Sequence, residues 1–171
     1  MVFNFEFVIM EMVILMGYIM DLRKIVGHRT LIQVGASVIV EDSQGRILLQ
    51  KRCDNHCWGY AGGSIEVDEN VEETAKRELF EETGLTAHSL ELFGVFSGKE
   101  LHYVYPNCDE VSKIDIVYIC KDYSGVLKKQ DDEVEELHFF DINELPDTIS
   151  PPVQIPIQKW KESKTQKNAD D

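Results

Sequence analysis

The alternation of apolar and polar positions takes on the pattern of a folded domain only after Met20. Residues 31–40 (LIQVGASVIV) are rich in β-branched side chains and predict a strand. Residues 41–45 read as a turn and 46–52 (RILLQKR) as a second strand, so the two are expected to pair as a hairpin. A polar loop covers 53–59, and then a helix runs over 70–83 and ends at Gly84, a residue suited to a left-handed helix stop. Residues 90–97, 114–120 and 137–140 read as strands, 103–110 as a loop, and Asp141 as the cap of a helical turn reaching 145. Pro146, Pro151, Pro152 and Pro156 break up the C-terminal segment, and the polar tail 161–171 is expected to be disordered. Strands around one strong helix, with a second near the C-terminus, indicate an α/β sandwich with a mixed sheet.

The segment before this pattern is different in kind. Sixteen of the first twenty residues are apolar, and all five methionines lie there. It has no basic n-region for a signal peptide, and Glu6 and Glu11 interrupt the run a membrane helix would need, so no stable membrane span is expected. Residues 1–19 are read as an apolar extension, 20–160 as the domain, and the working protein is expected to begin near Met20.

The 171 residues are 43% hydrophobic, enough for one domain with a core of its own. The formal net charge of −14 opposes binding to a nucleic acid polymer, yet leaves room for a small phosphate-bearing partner if the site brings in cations. Cys53, Cys57, Cys108 and Cys120 read as reduced thiols of a cytoplasmic protein. The run Cys53-Asp-Asn-His56-Cys57 lacks zinc-finger spacing and reads as a loop with two incidental thiols.

The chemistry is concentrated in residues 62–85. On a helical wheel with Val71 at the origin, Ala75 falls at about 40° and Leu79 at about 80°, forming an apolar stripe. Glu78 and Glu82 fall at roughly −20° and +20°, on that same inward stripe, and Glu81 lies at its edge. Two carboxylates one turn apart on an inward face repel each other and lose hydration. Shared protons or bound cations must compensate, and oxygen donors at this spacing suit a hard cation such as Mg²⁺, with Mn²⁺ as a substitute. The pair Gly62-Gly63 just before the helix lets the backbone turn sharply and approach a ligand. Lys51 and Arg52 stand where they could meet phosphates.

Gly63, five residues, Glu69, seven residues, then Arg77-Glu78-Leu79-Phe80-Glu81-Glu82-Thr83-Gly84-Leu85 resembles the Nudix box, with all nine of its defined positions filled. Trp58-Gly-Tyr-Ala61-Gly62-Gly63 is similar to the Trp-x-x-Pro-Gly-Gly that commonly precedes it, with Ala61 in place of proline and Asp68 where glycine often stands. The resemblance covers roughly residues 31–146. It implies a Nudix-type α/β/α sandwich and Mg²⁺ held by Glu78, Glu81 and Glu82 with a carbonyl of the Gly63 region. It implies that Glu69 and Arg77 keep the box in shape. The implied activity is hydrolysis of the diphosphate linkage in a nucleoside diphosphate derivative or nucleoside triphosphate. The alternative is a nucleotide-sensing Nudix domain that does not cut, and a homodimer is left open.

For the proton of the attacking water, the candidates are Glu78 and Glu82 within the box and Glu133, then Glu110, outside it. Arg52, Trp58 and Tyr103 are the candidate substrate contacts, with Tyr105 a further aromatic. By resemblance, Glu100 occupies the place of the proline usual in the ADP-ribose subgroup. Tyr103 sits near the tyrosine of the dinucleoside-polyphosphate subgroup. Nucleoside triphosphates, including an oxidised dGTP as in MutT-like members, are the default substrates.

Overall fold

In the computed structural model, which describes residues 17–170, a short helix α1 (Tyr18–Val26) precedes β1 (Leu31–Val40), β2 (Ile47–Arg52), β3 (Trp58–Gly59) and β4 (Ala61–Ser64). The carboxylate helix α2 (Val71–Thr83) comes next, then β5 (Leu85–Ala87), β6 (Glu91–Phe96), β7 (His102–Val104), β8 (Glu110–Cys120), β9 (Tyr123–Gly125), β10 (Val134–Phe140) and α3 (Pro151–Asp170). The main sheet runs β4-β1-β8-β6 with β7 also on β8; β1 and β8 are parallel and the other pairs antiparallel, so the sheet is mixed as expected.

The period-two pleat of β1 sorts its side chains into two cores. Ala36, Val38 and Val40 face α2 and pack with Ala75, Leu79 and Leu85. Ile39 faces the other way, into a core with Val117, Trp58, and Val153, Ile157 and Trp160 of α3. Helices on both faces complete the α/β/α sandwich. Among the described residues no helix is long and apolar enough to cross a membrane.

The expected hairpin of 31–40 with 46–52 does not form. Residues 35–40 are buried without interruption, because β1 is flanked on both sides, by β4 and by β8 over ten paired positions. Its hydrogen-bonding edges are thus taken, and β2 pairs instead with β10 and β3 in a second sheet, leaving only an isolated Glu41–Ile47 bridge to β1. The turn itself is as read: the Asp42 carboxylate accepts from the backbone N–H groups of Gln44 and Arg46, both at 2.9 Å.

Of the tail expected to be disordered, the described residues 161–170 form the second half of α3. Pro151 and Pro152 sit in the first turn, where a missing N–H costs no helical bond, and Pro156 removes one bond further in. Tertiary anchors override the polar composition: Trp160 is fully buried, its indole N–H donates to Glu41 at 3.2 Å, and Lys164 donates to the same carboxylate at 2.6 Å. Asp141 caps a turn rather than a helix, through its carboxylate and the Asn143 N–H.

The expected start near Met20 falls inside α1. The Tyr18 N–H donates to Glu66 at 2.8 Å, and Arg23 is buried, donating to the carbonyls of Gly27, Arg29 and Glu110. The helix is thereby tied to the start of β8, a link that the local pattern of 17–26 does not reveal. The reading of residues 1–16 as an extension lies outside the described residues.

Candidate active site

The site is built where the edge strand β4 meets α2. Asn70 precedes the helix, its N–H donating to the Glu73 carboxylate at 3.2 Å, and Gly84 ends it with φ 73° in the left-handed region. The loop between β4 and α2 is held by one ion network. Arg77 donates to both oxygens of Glu69, at 2.8 and 3.0 Å, and to the Ser64 carbonyl at 3.3 Å. Glu69 also accepts from the Thr74 hydroxyl at 2.8 Å and the Glu66 N–H at 3.2 Å. The Arg77 hydrogen bonds, joined by those of Thr74 and Glu66, outweigh partial burial and hold the Glu69 carboxyl down at about 2. Asp68, standing where glycine is usual, has φ 65°, a conformation aspartate tolerates better than most residues.

The wheel's central anomaly is present in the fold. Ala75 and Leu79 are fully buried, and Glu82 is only 3% exposed beside them. Glu82 accepts from the Gly62 N–H at 2.8 Å. Burial nonetheless pushes its carboxyl up to about 8, with the neighbouring Glu78 adding to the rise and the Gln50 side chain, the Gly62 N–H and the charge of Arg52 opposing it. Burial likewise raises Glu78, against the hydrogen bond and charge of Arg77, and the charges of Glu81 and Glu133 push the same way as burial.

The three box glutamates are not equivalent. Glu78 accepts from Arg77 at 2.7 Å and Glu81 accepts from the same guanidinium nitrogen at 3.1 Å. Among the described residues no three carboxylate, imidazole or thiol groups converge as a ready cluster. The donors do fit a hard cation: the buried Glu82 carboxylate, the partly buried Glu78 carboxylate beside it, and a buried Gln50 side-chain oxygen, next to Glu82, that receives no hydrogen bond. Glu81, half exposed, is free to turn from Arg77 toward them.

The glycine pair does not make the expected turn; both residues lie in β4, paired with Ser37 and Ala36. Their role is close approach. A Cβ on Gly63 would lie 2.2 Å from a Glu78 oxygen, and one on Gly62 would lie 2.7 Å from the Ser37 Cα. The first obstacle is a movable carboxylate and the second is backbone, so the two glycines should respond differently. Gly63→Ala is expected to keep most of its thermal stability while activity falls about 10- to 100-fold, because the group it would displace is Glu78, one of the candidate site carboxylates. Gly62→Ala is expected to lower Tm. Melting curves and turnover on the same preparations test this pair; equal activity in Gly63→Ala and the unaltered protein would contradict it.

On the other face of the sheet a cleft opens next to Gly62, lined among others by Arg52, Asn55, Tyr60, Tyr103, Tyr105 and Lys113. Arg52 is held by Asp54 through two 2.9 Å bonds. Tyr103 and Tyr105 meet edge to face with centroids 4.9 Å apart, and Asn55 donates to the Tyr103 hydroxyl at 3.1 Å. Arg52 and Tyr103 both line this cleft. Trp58 does not: it is packed edge to face on Phe140 in the second core, 9% exposed, because β3 turns it inward. Glu133 comes near Glu78, its charge felt there and its carbonyl accepting from the Cys53 N–H at 2.9 Å. Glu110 is instead paired with His102 at the start of β8, and Lys51 with Glu135. Cys53 and Cys57 are free thiols.

Sequence reasoning missed Gln50 and a network on the cleft floor. Asp115 is fully buried on β8, accepting from the Ser37 hydroxyl at 2.7 Å and the Tyr60 hydroxyl at 2.9 Å. Burial and the Asp115 charge push the Tyr60 hydroxyl well up, so it stays a donor. The signal was present in the strand's period of two: Lys113 and Asp115 interrupt the inward-facing series Val111, Val117, Ile119.

Comparison with known proteins agrees with this geometry. The family model described as NUDIX domain matches residues 31–160. An ADP-ribose pyrophosphatase of Methanocaldococcus jannaschii is 39% identical over 109 residues, 61% of this chain and 60% of that protein. A putative 8-oxo-dGTP diphosphatase of Bacillus subtilis is 44% identical over 62 residues, 36% of this chain and 42% of that protein. The chain therefore spans less than two thirds of the length of these relatives. The crystal structure of a MutT NUDIX hydrolase from Burkholderia pseudomallei superposes with a TM-score of 0.64 at 27% identity, covering 77% of this chain and 98% of that one.

Proposed function

The chain belongs to the Nudix family, and from that premise we propose that it is a metal-dependent pyrophosphohydrolase cleaving the diphosphate linkage of a small nucleotide-type substrate. The observation that carries the reading is Glu82, a carboxylate buried on the inward face of α2 beside Glu78, with Gly62 and Gly63 pressed against the pair. Once ionised, such a carboxylate destabilises the metal-free protein, and a bound cation would offset that cost.

Glu78, Glu82 and Glu81, with a carbonyl of Gly63, are the residues that would hold the cation. When bound, Mg²⁺, or Mn²⁺ in its place, neutralises non-bridging phosphate oxygens and acidifies water. Glu78, Glu82 or Glu133 takes the proton of the attacking water. Glu69 and Arg77 keep the loop and helix in register, so the carboxylates stay aimed at one point. Arg52 meets the phosphates from the cleft side, and Tyr103 offers a ring face to the nucleoside.

The test is a hydrolysis panel with Mg²⁺: ADP-ribose, dinucleoside polyphosphates, nucleoside triphosphates and an oxidised dGTP. Cleavage of at least one anhydride is expected. Nucleotide binding without cleavage of any of them would sink the enzymatic reading in favour of a non-cutting sensor.

A further inference from the structure

We propose that Lys113 is a substrate-binding residue, its ammonium donating to an oxygen of the substrate where it lies on the cleft floor. The inference rests on the reading of the cleft as the substrate site. Lys113 lies on β8, and its side chain is 14% exposed. Its ionic partner is Asp115, at 3.4 Å, which is long for a charge-assisted hydrogen bond. The Asp115 oxygens are already occupied, one by the Ser37 hydroxyl and one by the Tyr60 hydroxyl. The buried carboxylate therefore supplies the charge that keeps the ammonium in place without absorbing its donors. An ammonium carries three donors and no acceptor, and in a half-closed cleft those donors want oxygen.

The backbone is arranged to let the lysine lie there. Gly35 on β1 is in register with Asp115, and a Cβ at that position would sit 3.3 Å from the Lys113 Cε and 2.8 Å from the Gly63 carbonyl oxygen. The missing side chain leaves a hollow across which Lys113 lies. Lys113 lines the same cleft as Arg52, Tyr103 and Tyr105. In a chain with net charge −14, Arg52 and Lys113 place two cations on one cleft. The oxygen received by Lys113 has two sources with the same chemistry: a carbonyl on a base stacked in the cleft, or a phosphate oxygen.

Lys113→Met keeps the length of the stem and removes the donors. Titration calorimetry in Mg²⁺ with GMP, AMP and inorganic pyrophosphate, none of which needs to be hydrolysed, reads the effect directly. At least one probe is expected to bind about 10- to 100-fold more weakly to the folded variant, measured below its own Tm because Asp115 loses its cation. Loss confined to GMP assigns the oxygen to a base carbonyl, since adenine offers a donor at that ring position. Loss that extends to pyrophosphate assigns it to a phosphate. A variant that binds all three as the unaltered protein does, or an unaltered protein that binds none, overturns the assignment. Failure of the hydrolysis panel with binding intact would instead remove the enzymatic reading and leave Lys113 standing.

Discussion

Replacing Glu82 by glutamine is expected to lower hydrolysis by about 10²–10⁴-fold while the fold survives, and to make the metal-free protein more stable at alkaline pH. Both effects come from one feature. The Glu82 carboxylate is buried against Ala75 and Leu79, and its folded-state value is about 8, well above that of an exposed glutamate. Glutamine has the shape and the neutrality of the protonated acid, so the Gly62 N–H keeps an acceptor. What is lost is the charge that a cation or a water proton would meet. Above pH 8 the native glutamate must ionise in a poorly hydrated place, at a penalty on the order of 5 kcal/mol for a shift of this size. The variant escapes that penalty. Turnover at saturating Mg²⁺ and urea melts in EDTA at pH 8.5 separate the two consequences. Near-normal turnover in Glu82→Gln would end the metal-binding assignment; a variant less stable than its parent in EDTA would show that the buried charge is compensated in some other way.

Chelation is expected to abolish activity, with Mg²⁺ or Mn²⁺ restoring it, and the same ion should reverse the pH dependence of stability. The sign comes from proton binding. Glu82 binds its proton more tightly folded than unfolded, so its stabilising share is complete below about 4.5 and is lost as pH rises through about 8. Glu78 is shifted in the same direction. Glu69 acts oppositely: held at about 2 by Arg77, it contributes stability above about 4.5 and loses it as pH falls through about 2. As far as these groups decide, the metal-free protein should be most stable near pH 4.5 and should weaken steadily toward pH 8. A divalent cation competes with the Glu82 proton, so it should bind more tightly as pH rises and stabilise most where the free protein is weakest. Melting temperature against pH, in EDTA and in excess Mg²⁺, checks this. Two parallel curves would mean that the ion does not meet these carboxylates, and full activity after exhaustive chelation would remove the metal from the mechanism.

How far a sequence can be read depended on the range of the interaction. Whatever is decided within one helix or one strand was legible. The extent of α2, its stop at Gly84, and the inward position of Glu78 and Glu82 all come from a 3.6-residue period, and the spacing of Gly63, Glu69 and Arg77–Leu85 carries the family. Pairing between distant segments was not legible. Residues 31–40 and 46–52 look like partners because they are neighbours in the chain, but β8 competes for β1 with ten registered positions and wins. The tail over 161–171 reads as disordered because its composition is polar; among the described residues, which end at Asp170, it continues α3, anchored by a single tryptophan in the core and one lysine on Glu41. Trp58 and Tyr103 look alike as aromatic candidates, and only the direction in which each strand turns its side chain separates the packed ring from the one at the cleft. The charged floor of that cleft is tertiary in the same sense. Asp115 is tolerable in the interior because Ser37 and Tyr60, 78 and 55 residues away in the chain, bring hydroxyls to it; the period of two marks its inward position but not these partners.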